Sequence, residues 1–277
     1  FEDRGRGGFQ QRDDRRSGYQ RRDDDRRDFG GRDDRRGGYQ KRDDRRGGFR
    51  DDRRKDDSYK NYASTDEYVS PNGYEPTIPA GVSADELDRD ALSALTTLSG
   101  PNRDIVARHL VMAGQLIDLD PEAAYQHAQA AVSRAGRVDV VREAAALTAY
   151  ASGRYEEALR EVRAVRRMRG DSSLRAVEAD AERGLGHPEK AVEIIDATDA
   201  SSLDLAEQVE LVLVSSGARA DLGQADVGLV IVDDALAALP SSVDDELRRR
   251  LMEGKAERLA ALGRDDAAAE VLAALAG

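Results

Sequence analysis

Gly153-Arg154-Tyr155-Glu156-Glu157-Ala158-Leu159 is the stretch on which the fold of this 277-residue chain turns. A glycine there can close one helix in a left-handed conformation. The same frame recurs on both sides: Leu119-Asp120-Pro121-Glu122-Ala123-Ala124, Gly186-His187-Pro188-Glu189-Lys190-Ala191, Gly223-Gln224-Ala225-Asp226-Val227-Gly228 and Gly263-Arg264-Asp265-Asp266-Ala267-Ala268. Successive frames start 34, 33, 37 and 40 residues apart, and a period of that size is the mark of a repeat array. Pro121 and Pro188 fall near a first helical position, where a missing N–H costs nothing. Five residues into each frame stands Ala124, Ala158, Ala191, Gly228 or Ala268; seven residues before it stands Met112, Ala146, Ala179, Ser216 or Ala256. Two helices of a hairpin approach closely where the crossing residues are small. Met112 is the exception, and Ala113 beside it suggests a shift of one residue in the first repeat.

On these residues, 103–277 resemble a tetratricopeptide-repeat (TPR) array of about five repeats. Gly153–Leu159, with Tyr155 and Ala158, is the closest match to the family pattern; the early Trp is absent and the late Pro recurs at Pro240. The pairing of such an array with an Arg/Asp/Gly tail is also similar to TPR proteins of high-GC actinobacteria. The resemblance implies an all-α solenoid of helical hairpins with a concave groove, acting as a non-catalytic adaptor or scaffold for protein partners. Val209–Val214 and Val227–Val232 are β-branched runs that could read as strands; the repeat phase places both in helices.

Upstream, Ser83-Ala84-Asp85-Glu86 has the form of a capping box and is expected to open a lead helix running to about Leu98, ended by Gly100-Pro101. Residues 61–85, with Pro71, Asn72-Gly73, Pro76 and Pro79, read as a flexible linker. Residues 1–60 contain no Leu, Ile, Val, Met or Ala, too little apolar surface to offset the entropy of ordering, so a long disordered tail is expected. Phe9, Tyr19, Phe29, Tyr39, Phe49 and Tyr59 recur every ten residues between Arg-Asp-Asp-Arg-Arg blocks, with Arg-Gly-Gly at Arg6, Arg36 and Arg46. Arginine stacks on aromatic faces, so this low-complexity, compositionally biased tail suits multivalent self-association. It also resembles the tails of RNA-associated proteins, although the Asp pairs neutralise most of the charge that phosphate binding needs. The repeat is already under way at Phe1, so further residues are expected upstream.

The net charge of −12 is uneven: +5 over 1–60, +2 over 101–170 and −13 over 171–277. Without cysteine there is no disulfide, thiolate metal site or Cys nucleophile. No apolar run is long enough for a membrane helix, no signal peptide is visible, and a cytoplasmic protein is the expectation. No nucleophile motif or phosphate-cradling loop stands out, so neither enzyme activity nor a cofactor is expected. His109 and His127 fall on paired helices at comparable level, and with Asp104 they could ligate zinc, but lone helix histidines are mostly structural. His187, in a turn, reads as solvated, as do Asp233-Asp234 and Asp244-Asp245. The sharpest candidate is Arg160, Arg163, Arg166, Arg167 and Arg169, opposite the apolar Leu159, Val162 and Val165. Arg160, Arg163 and Arg167 share a helix face, a patch for an acidic partner, phosphate or RNA. Its bland alternative is a solvated face paired with Glu156 and Glu157.

Overall fold

The computed structural model describes residues 63–275. The tail read over 1–60 lies outside the described residues. Among the described residues the regular elements are helical, with one isolated antiparallel bridge between Tyr68 and Ile78. A short helix α1 (Arg89–Ala94) precedes ten longer ones: α2 (Gly100–Leu116), α3 (Pro121–Ala135), α4 (Asp139–Ala151), α5 (Tyr155–Arg169), α6 (Arg175–Gly184), α7 (Pro188–Asp196), α8 (Leu205–Asp221), α9 (Ala225–Ala238), α10 (Asp245–Ala261) and α11 (Asp265–Leu275). No helix among the described residues is long and apolar enough to cross a membrane.

The recurring frame marks the turn of each hairpin. Gly153, Gly186, Gly223 and Gly263 have φ of 74°, 80°, 75° and 69°, values open to glycine and costly for other residues. The next residue then donates its N–H to the carbonyl five positions back: Arg154 to Ala149 at 2.8 Å, His187 to Glu182 at 2.9 Å, Gln224 to Arg219 at 2.8 Å and Arg264 to Leu259 at 2.9 Å. That closure satisfies carbonyls at the helix end. The first hairpin does without glycine, using Asp120, whose side chain accepts the Ala123 N–H at 3.0 Å. Pro121 and Pro188 open α3 and α7.

Consecutive helices pack as the pairs α2/α3, α4/α5, α6/α7, α8/α9 and α10/α11. The small residues Ala124, Ala146, Ala158, Ala179, Ala191, Ser216, Ala256 and Ala268 are all buried; Ala179 packs in one cluster with Ala191, and Ala256 in another with Ala268. A Cβ on Gly228 would stand 2.7 Å from the Ser216 carbonyl oxygen, so α8 and α9 touch at the pair the spacing picked out. In the first hairpin Ala113 packs with Ala128 and Ala145, while Met112 turns to Ile78, Val82 and Val111. The β-branched runs are helical, in α8 and α9. A capping box at Asp204 and Glu207 starts α8, and the valines Val209, Val214 and Val232 are buried.

Ahead of the hairpins the structure differs from the sequence reading twice. The capping box at Ser83 and Glu86 forms, but it starts a three-residue 3-10 turn, Ala84–Glu86, that ends at an extended Leu87. Asp88 then caps α1, and a second 3-10 turn, Leu95–Thr97, follows. The expected lead helix is therefore broken in three, because Asp88 bonds the Asp90 N–H at 2.8 Å and restarts the chain. Gly100-Pro101 opens α2 rather than ending a helix, as suits proline in a first turn. The second difference is the linker. From residue 63 it is a packed arm: Tyr68 and Ile78 exchange backbone hydrogen bonds at 3.0 Å, Ile78 is fully buried and Val82 nearly so. Both sit against Val111 and Met112 of α2. Its prolines and glycines make turns that let two apolar residues reach the helix, and composition does not reveal that.

Candidate interaction groove

The first helices of the hairpins form a row. Besides packing on its own partner, α2 packs on α4, α4 on α6, α6 on α8 and α8 on α10; the second helices make no comparable contacts with one another. Between the first helices lies a slot of about 320 Å³, lined from α4 by Tyr150, from α6 by Asp180 and Arg183, from α8 by Glu210 and Gly217 and from α10 by Arg250, Gly254, Glu257 and Arg258.

Its walls are tied by polar cross-links. The Tyr150 hydroxyl donates to Asp180. Arg183 bonds Asp180 at 2.5 Å within α6 and Asp221 of α8 at 2.8 Å. Arg250 of α10 bonds both carboxylate oxygens of Glu210 on α8, a fork geometry that fixes orientation as well as distance. Burial and the hydrogen bond to Asp180 push the Tyr150 hydroxyl well above its ordinary pKa of 10, so it stays a donor. Glycines allow the close approach. The Arg183 guanidinium would lie 2.5 Å from a Cβ on Gly217, and the Leu213 side chain 2.6 Å from one on Gly254. On the rim, Glu253 pairs with Arg249 at 2.5 Å and Arg258 with Glu257 at 3.1 Å; Glu257 is 70% exposed.

These residues were not assignable from the sequence, because which helix faces line a groove depends on how one hairpin sits on the next. Gly217 and Gly254 were a usable signal: a mid-helix glycine is costly unless something packs onto it.

The arginine patch read on α5 does not come together as one site. Leu159, Val162 and Val165 are buried as expected, but the arginines diverge to carboxylates on both flanking helices. Arg163 lies 3.8 Å from Glu182 and Arg166 2.7 Å from Glu178, both on α6. Arg169 reaches back to Asp139 at 2.7 Å and to Glu143 on α4. Arg160, 3.9 Å from Glu157, and Arg167 remain on the exposed face. The physical reason is that α5 lies between two helices whose facing edges are acidic. Tyr155 lies against Gly184 of α6 and 5.9 Å from the Tyr150 ring.

His109 and His127 do meet, with their Nδ1 atoms 2.9 Å apart. Asp104 is elsewhere, accepting the Ser64 N–H at 3.1 Å and lying 3.7 Å from Arg108. Among the described residues no group of three or more His, Asp or Glu is placed to hold a metal ion. His187 is not simply solvated: it precedes α7 and lies 3.0 Å from Glu182. Asp244 caps α10, and Asp233 pairs with Lys255 at 2.7 Å.

Compared with models of known protein families, with curated proteins and with solved structures, the chain finds no match.

Proposed function

We propose that the chain is a non-catalytic adaptor or scaffold, a TPR-like array whose groove along the first helices receives an extended segment of a protein partner. One observation carries this reading: four successive first helices share a single slot of about 320 Å³, lined by Tyr150, Arg183, Arg250 and Arg258. A tyrosine and arginines around glycine-floored, rigidly cross-linked walls are the side chains that anchor protein interfaces. The tail adds multivalency, through self-association or through RNA. The arginine helix α5 contributes less than its composition suggests, since Arg163 and Arg166 turn to one flanking helix and Arg169 to the other instead of converging on one slot.

The test is co-purification with the full chain, with and without nuclease, for the wild type and two double variants. Glu253→Lys with Glu257→Lys reverses charge on the exposed rim of the groove; Arg160→Glu with Arg167→Glu does so on α5. The groove variant is expected to lose the proteins that follow the wild type, and the α5 variant to keep them, nuclease changing neither. Retention of the same proteins by the groove variant overturns the reading. Recovery that disappears with nuclease turns it to the alternative, an RNA- or ribosome-associated protein.

A further inference from the structure

The arm rests on a buried histidine pair. His109 of α2 and His127 of α3 are 0% and 4% exposed, with ring centroids 5.1 Å apart. Their Nδ1 atoms share one hydrogen, so in the neutral pair one ring donates and the other accepts. When His109 accepts, its own N–H is on Nε2, on the side covered by the arm. There the Tyr68 ring meets it edge-on at 6.1 Å, and Glu75 Oε2 stands 3.9 Å away, beyond hydrogen-bond reach. The Nε2 atom is buried and has no hydrogen-bond partner.

The groups facing this ring leave no room for another positive charge. From the arm comes Glu75, already accepting from Arg134 at 2.7 Å and from the Tyr68 hydroxyl at 2.8 Å. From α3 come Arg134 and His127. From α2 comes Arg108, which donates to the Val82 carbonyl at 2.9 Å and to the Asp66 carbonyl, with Asp104 beside it. The two carboxylates are matched by two arginines, so a proton on His109 would be an uncompensated buried charge, which folded proteins avoid.

We propose that the arm, residues 63–83, is an acid-released latch: a neutral His109–His127 pair forms its seat, and protonation of His109 drives the arm off the first hairpin. Release uncovers Val111, Met112 and Leu116 of α2, now covered by Ile78, Val82 and Tyr68. Burial, reinforced by His127, Arg134 and Arg108 against the opposing pull of Glu75, holds His109 down at about 3; burial holds His127 at about 4. An uncovered histidine titrates near 6.5, so below that pH the released arm binds more protons than the docked one. Docking therefore weakens as pH falls from about 6.5 toward about 3 and is insensitive above 6.5. At pH 5 the uncovering of His109 alone shifts the equilibrium toward release by about 30-fold.

The experiment is hydrogen exchange by NMR on the full chain at pH 7 and pH 5, corrected for intrinsic exchange. It follows the Tyr68 and Ile78 amides, which bond each other across the arm, against amides of α10. The expected result is a roughly 30-fold loss of protection at Tyr68 and Ile78 with α10 unchanged, and no such loss in His109→Gln. Unchanged protection of the arm in the wild type, or a parallel loss in α10, overturns the latch. If His109→Gln does not fold, the wild-type imidazole resonances decide. A His109 ring that titrates near 6.5 while the arm amides stay protected is incompatible with it; one that titrates only as the arm opens supports it.

Discussion

At the front of the helical row, α2 carries a cover: Ile78, Val82 and Ala84 are buried against it or beside it, and Arg108 and Arg134 hold the arm by its carbonyls and by Glu75. At the rear, α11 buries Ala268 and leaves Leu272 49% exposed. A repeat cannot bury both faces of its hairpin alone, so an array needs a neighbour, a cover or a polar face at each end. The front uses irregular chain fastened by charged and titratable groups. The exposed side of α11 carries Asp265, Asp266, Glu270 and alanines, with Leu272 as its one large apolar residue. The two ends should therefore answer differently to mutation and to pH, since in such arrays a disturbance travels mainly to nearest neighbours.

The largest effect is expected at the front. Ile78 is fully buried between residues of α2, and Ile78→Ala should cost about 3 kcal/mol, as large-to-small core changes do. Hydrogen exchange should place that loss in the arm and α2 and leave α10 and α11 protected. Loss spread evenly over all five hairpins would mean one cooperative block, and the comparison between ends would break.

Next comes the rear crossing of α8 and α9. Gly228→Ala puts a methyl 2.7 Å from the Ser216 carbonyl oxygen, and backbone there cannot step aside as a flexible side chain could. A cost of about 2 kcal/mol in urea unfolding is expected for such overpacking. Gly223→Ala, at φ 75°, should cost about 1 kcal/mol, from left-handed strain alone. If Gly228→Ala is the milder of the two, the close approach of α8 and α9 is wrong.

The hairpins were legible in the sequence because their turns and crossings are local and periodic. Gly153, Gly186, Gly223 and Gly263 carry the left-handed turns, and Ala179 with Ala191, Ser216 with Gly228 and Ala256 with Ala268 meet as the spacing predicts. What stayed hidden is what depends on distant contacts. Pro71, Pro76 and Pro79 look the same in a free linker and in a docked arm; the difference lies in Ile78 and Val82 finding Met112. The five arginines of α5 look like one patch until α4 and α6 supply carboxylates on either side. The groove has no linear signature beyond Gly217 and Gly254, since Tyr150 and Arg250 are a hundred residues apart and meet its walls only through stacking. His109 and His127 were legible as neighbours, but the arm that covers His109 was not.

A smaller effect separates the ends by pH. Between pH 6.5 and 5.5 each buried histidine should remove about 1 kcal/mol from the front, because the folded form, held at about 3 for His109 and about 4 for His127, binds fewer protons than the opened form. The sign is fixed: stability is lost as pH falls and regained above 6.5. The rear hairpins have no such pair, so amides of α10 should hold constant over that range, and a parallel decline there would remove the distinction.

The smallest effect is expected at Leu272. Half exposed on the outward side of α11, it contributes little packing, so Leu272→Asp should change stability by no more than about 0.5 kcal/mol, as surface substitutions do. The measurement is the urea midpoint of the full chain at two protein concentrations tenfold or more apart. A cost above about 1.5 kcal/mol that grows with concentration would show that a second copy covers this face in solution, because only association makes stability depend on concentration. A small cost at both concentrations would show that no second copy covers Leu272, and the contrast would then rest on the apolar cover that Ile78 and Val82 give to α2.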